Sequence, residues 1–94
     1  MDDWQVVVSP RVQKRQLSRL PVAVQLQLAR LLKEISVLGP VRGNWPNYSA
    51  LGSGRHHCHL KKGRPTYVVC WLVHKKDARL VEVYYAGTHE KAPY

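Results

Sequence analysis

The sequence predicts a small α+β domain spanning residues 1–94, with an N-terminal strand and a helical hairpin packed on one face of an antiparallel sheet, in the order β-α-α-β-β-β. Three observations lead there. An apolar stripe of helical period ends at a Gly-Pro pair, three β-rich runs follow it separated by short polar turns, and 94 residues suffice for one core without a second module.

Trp4 to Ser9 (WQVVVS) is a short β-rich run. Ser9 and Pro10 then supply an N-cap and a first helical residue, and the helix runs to about Leu17, with Arg11, Lys14, Arg15 and Arg19 on or beside it. Pro21 opens a second helix in which Val24, Leu28, Leu31, Ile35 and Leu38 alternate steps of four and three, one apolar stripe stopped by Gly39-Pro40. Val41 to Gly54 is rich in Gly, Pro, Asn and Ser and reads as an irregular connection with one short strand around Tyr48 to Leu51. Arg55 to Leu60, Thr66 to Val73 and Arg79 to Ala86 are the remaining strands; KKGR and HKKDA are the turns that make them consecutive hairpins.

A formal charge of +9, from 15 Lys and Arg against 6 Asp and Glu, points to a polyanionic partner, nucleic acid first, with an acidic protein or a membrane surface as alternatives. Cys58 and Cys70 lie in apolar, strand-like runs without CxxC spacing and read as reduced core thiols. The opening MDDWQVVVSP is too short in apolar residues for a signal peptide or a membrane span, so a cytoplasmic location is expected.

Four of the five histidines, His56, His57, His59 and His89, fall in RHHCHLKKGRPTY and GTHEKAPY. Imidazole suits proton transfer near neutral pH, and a stable core does not need it. In a strand from Arg55, period two puts His57, His59 and Lys61 on one face and His56, Cys58 and Leu60 on the other. The apolar pair faces the helices, so His57, His59 and Lys61 belong to the open face, with Lys62 and Arg64 at its edge. Beyond the last strand, Gly87 permits a bend, after which His89, Glu90, Lys91 and Tyr94 can return over that face. The same alternation splits HHCH and argues against a metal site. His74, in a turn beside Lys75 and Lys76, reads as solvated, and Trp45, Trp71 and Tyr84 as core or loop anchors.

With its order of elements, its LKKGRPTYVVCW run and its GTHEKAPY ending, the chain resembles the RelE/ParE superfamily of bacterial type II toxins, nearer the RelE side, from Trp4 to Tyr94. The resemblance implies an endoribonuclease that needs no metal or other cofactor, cuts mRNA in the ribosomal A site, and is silenced by a cognate antitoxin. In that chemistry the 2′-hydroxyl attacks the adjacent phosphate, which calls for a base, an acid and cations. Carried over by position, His57 and His59 stand where RelE holds lysines, Lys61 at a further basic position, Arg64 nearest the family's arginine, His89 at the tail position that is Arg in RelE, and Tyr94 at the base-stacking tyrosine. His59 or His57 is then base or phosphate contact and His89 the acid. Lys61 and Arg64 stabilise charge, Glu90 is an alternative base or an orienting partner, and Lys62, Lys91 and Tyr94 bind RNA. An acidic antitoxin segment is expected over the basic face. Two alternatives compete: a ParE-like poison of DNA gyrase acting by protein binding, and a non-catalytic RNA-binding protein.

Overall fold

The computed structural model describes residues 3–77 and 79–94; Met1, Asp2 and Ala78, the last within the HKKDA turn, lie outside the described residues. Strand β1 (Gln5–Val8) leads into α1 (Pro10–Arg15), a 3₁₀ turn (Leu17–Arg19) and α2 (Val22–Leu38); β2 (Ser49–Gly52), β3 (Arg55–Lys61), β4 (Tyr67–Val73) and β5 (Leu80–Thr88) follow, and a second 3₁₀ turn (His89–Lys91) opens the tail. Ser9 caps α1, its Oγ accepting from the Val12 amide at 3.3 Å with Pro10 in the first turn.

On α2, Val24, Leu28, Leu31 and Ile35 are buried against the sheet, at about 1.5–3 kcal/mol each for full burial. Leu38, expected on the same stripe, is 63% exposed. The helix ends there at Gly39, whose φ of 99° suits glycine and where a β-carbon would come within 3.2 Å of the Trp4 indole. The Trp4 amide donates to Ser36 O at 3.1 Å, so the N-terminal segment, not Leu38, closes this corner of the core.

The sheet has the order β1-β5-β4-β3-β2. Its meander from β2 to β5 is antiparallel, as expected, but β1 pairs with β5 in parallel, so the sheet is mixed and not wholly antiparallel. Hairpin turns fix the direction of consecutive strands locally. The direction of β1 is set by the helical crossover between it and the meander, which no local turn specifies.

Alternation holds along β3. Cys58 and Leu60 join Trp71, Val69, Val81 and Val83 in the core beneath the helices, while Val68, Cys70 and Tyr85 form a smaller apolar cluster on the opposite face. The two cysteines are free and buried on opposite faces of the sheet, which prevents them from pairing. Burial pushes the Cys58 thiol up to about 12 and the Cys70 thiol up to about 11. Glu34 anchors the connection after α2, accepting from Asn44 Nδ2 at 2.9 Å and Trp45 Nε1 at 3.1 Å and pairing with Arg42 at 3.3 Å. These donors, Asn44 foremost, lower its pKa.

His56 is buried on the helix side, stacked on Trp71 at 5.8 Å and 8° and on Tyr48 at 5.9 Å, with its Nδ1 hydrogen-bonded to Tyr48 Oη at 2.7 Å. Burial lowers its pKa, so the folded protein favours the neutral ring. A histidine depressed in this way contributes stability above its unfolded pKa and loses it as pH falls through the folded one. Unfolding followed by circular dichroism between about pH 7 and about pH 5 is therefore expected to show falling stability. In His56→Phe, which keeps the stack and removes the titration, that pH dependence is expected to weaken; an unchanged dependence would exclude His56 as its source.

Candidate functional site

The site stands at the end of the sheet where β3, the β3–β4 loop and the tail converge. An open cleft of about 510 Å³ is lined by His59, Arg64, Pro65, Thr66, His89 and Glu90, with Gly63 and Thr88 at its margins. His59 comes from β3, Arg64 from the loop and His89 from the first turn after β5.

Thr66 joins the loop wall to the tail wall. Its Oγ1 donates to Gly63 O at 2.9 Å and lies 3.2 Å from the Gly63 amide, closing the loop that carries Arg64, while its carbonyl accepts from the His89 amide at 2.8 Å. The bend before His89 is shaped by Tyr85, whose hydroxyl donates to Thr88 O at 2.6 Å. A β-carbon at Gly87 would come within 2.8 Å of that hydroxyl. Gly87→Ala is thus expected to break the Tyr85–Thr88 bond, at about 1 kcal/mol. In thermal melts Tyr85→Phe, which removes the clashing oxygen, should recover part of the loss in the double variant; strict additivity would contradict the clash.

Four rings form a closed circuit of edge contacts: His57–His59 at 6.2 Å, His59–His89 at 5.6 Å, His89–Tyr94 at 6.0 Å and Tyr94–His57 at 4.4 Å. The tail returns over the histidine face as the sequence indicates, with a consequence for His57. That ring is buried beneath Tyr94, with Nδ1 3.0 Å from Ser49 Oγ, and it does not line the cleft. His59 is the strand histidine that reaches the cleft. Burial first, then the neighbouring His89, His57 and Lys62, lower its pKa. Its Nδ1 is buried without a hydrogen-bond partner among the described residues, which further disfavours a doubly protonated ring.

The remaining predicted residues divide. Arg64, His89 and Glu90 line the cleft with His59. Lys61 is exposed and outside it, because the β3–β4 register shifts between His59 and Lys61 and breaks the alternation that placed Lys61 beside the histidines. Lys62 is exposed but near enough to act on His59. Lys91 turns to a different cleft, beside α1. Tyr94 is 49% exposed and covers His57. Outside the site, His74 Nε2 lies 3.0 Å from Glu82 Oε1, and Trp71 Nε1 donates to Pro40 O at 3.0 Å. Thr66 and Ser49 were not singled out from the sequence; the run GRPT, with turn-forming residues around Arg64, was the signal for the first, and nothing local marks the second.

A helical pair laid over one face of a five-stranded mixed sheet is a RelE-like α+β fold. Among solved structures the chain is similar to one in the crystal structure of the archaeal RelE–RelB complex from Pyrococcus horikoshii OT3, with a TM-score of 0.67 and 16% identity, over 96% of this chain and 99% of that one. No protein-family model matches the sequence, and neither does any curated protein. Among the described residues, no helix is long and apolar enough to cross a membrane.

Proposed function

We propose that this protein is the toxin of a toxin–antitoxin pair and a metal-independent endoribonuclease that cleaves mRNA, acting at the ribosomal A site to inhibit translation. The observation that carries the reading is the convergence of His59, His89 and Arg64 on one open cleft in a strongly basic chain. Neutral His59 takes the proton of a 2′-hydroxyl, and O2′ attacks the adjacent phosphorus. The bond from phosphorus to O5′ breaks as His89 delivers a proton to O5′, leaving a 2′,3′-cyclic phosphate and a 5′-hydroxyl. Arg64 stabilises the charge of the phosphorane. The lowered pKa of His59 suits the base, which must be unprotonated to act.

Lys61 and Lys62, both exposed, hold the RNA strand, and Tyr94 offers a ring for base stacking. A solved neighbour of this fold was captured as a RelE–RelB complex, and by analogy an acidic antitoxin segment covers Lys61 and Arg64.

The test is incubation of the chain with mRNA, with and without programmed ribosomes and with EDTA present, mapping new 5′ ends against a His89→Ala control. Cleavage that requires His89 and survives EDTA supports the reading. Absence of cleavage in every condition overturns it and favours a protein-binding poison.

A further inference from the structure

A second cleft lies on the other side of Thr88, about 330 Å³ in volume, where Arg11, Arg15, Arg19 and Lys91 meet above Gln16. Arg11 and Arg15 are one turn apart on α1, Arg19 stands in the 3₁₀ turn that follows, and all three line the cleft. All four cations are exposed, none is in an ion pair among the described residues, and no carboxylate lines the cleft. With no carboxylate beside them in the cleft, these cations leave its positive charge uncompensated, which suits it to an anionic ligand. The position of the cleft is fixed: Gln16 Oε1 accepts from the Ala86 amide at 2.9 Å, tying the end of α1 to β5 just before the bend that presents His89.

Thr88 lines both clefts, so the two adjoin, and a polymer seated in the first has the second within reach. We propose that the Arg11–Arg15–Arg19 group with Lys91 is a second RNA-backbone site, which holds phosphates of the same strand flanking the nucleotide in the His59–His89 cleft. The ligand class is single-stranded RNA recognised through its phosphates, without reading of base sequence. The assignment rests on the ribonuclease reading for the path of the strand. A group of cations sharing a wall with the reacting cleft favours a continuous phosphodiester over an acidic peptide, which has no requirement to enter both.

The experiment measures binding of two fully 2′-O-methylated, uncleavable oligoribonucleotides by fluorescence anisotropy: a short one that fits only the first cleft, and a longer one extended at both ends. The wild-type chain is expected to bind the longer RNA more tightly. In the triple variant Arg11→Gln, Arg15→Gln, Arg19→Gln that increment is expected to fall about tenfold or more, with the salt dependence reduced by about two in slope at ~0.7 per phosphate, while the short RNA binds as before. The corresponding triple lysine variant, which keeps the charge, should retain most of the increment. Thermal melts of all forms identify a loss due to unfolding, which the lysine variant bypasses.

Undiminished binding of the longer RNA by the glutamine variant overturns the proposal, as does an equal loss for both RNAs. Loss of binding to a polyglutamate peptide with RNA binding intact also overturns it, in favour of a protein partner. A wild type that shows the increment but never cleaves RNA keeps the site and removes the ribonuclease reading; one that cleaves without the increment does the reverse.

Discussion

Replacing His59 with glutamine is expected to lower single-turnover RNA cleavage by about 10²–10⁴-fold, the usual contribution of a positioned acid or base. Glutamine preserves polarity and approximate size, so the loss reports on proton transfer more than on packing. The pH profile sharpens the test. A base works only unprotonated, so kcat/KM of the wild type rises with pH through the pKa of His59 in the free protein. Burial and the nearby His89, His57 and Lys62 hold that pKa below the ordinary 6.5, placing the acid limb below that value. In His59→Gln the limb should vanish along with most of the rate. Retention of the limb would move the base elsewhere, with Glu90 the next group in the cleft. His57→Gln provides the contrast: its ring is covered by Tyr94 and outside the cleft, so it is expected to disturb the tail before it removes proton transfer.

Trp71→Ala is expected to cost about 3–5 kcal/mol, a large part of the roughly 5–15 kcal/mol that holds a small domain together. The side chain is fully buried on β4, stacks on His56 and donates its indole N–H to Pro40 O at 3.0 Å. Truncation would leave a cavity between sheet and helices and strand a buried carbonyl. Urea denaturation should register a sharply lower midpoint, with Trp71→Phe in between because it keeps the stack and loses the hydrogen bond. Because Trp71 is opposite His56 across β3 and β4, the strand that bears His59 should loosen too, and cleavage should fall with stability. A midpoint within experimental error of wild type would contradict this account of the core.

Much of this architecture is legible in the chain. Ser9-Pro10 starts a helix because an N-cap oxygen and a fixed φ act over one turn, and the structure has both there. Val24, Leu28, Leu31 and Ile35 face inward because helical period is local. The split of HHCH between two faces follows from the pleat, and His56 with Cys58 on one side, His57 with His59 on the other, is the arrangement found. Leu38 escaped the pattern because periodicity continues past the place where the covering segment ends, and Lys61 because a register shift interrupts alternation without a mark in the sequence.

The sequence by itself determined the order of the elements and the face on which the strand residues stand wherever the pleat runs unbroken, since those depend on backbone periods and turn chemistry acting over a few residues. Only the tertiary structure decided that β1 joins β5 in parallel, that Tyr94 lies over His57, and that His59, Arg64 and His89 share one cleft. Those outcomes depend on contacts between distant segments, such as Thr66 O with the His89 amide and Gln16 with Ala86, whose energies arise only after the chain has closed on itself.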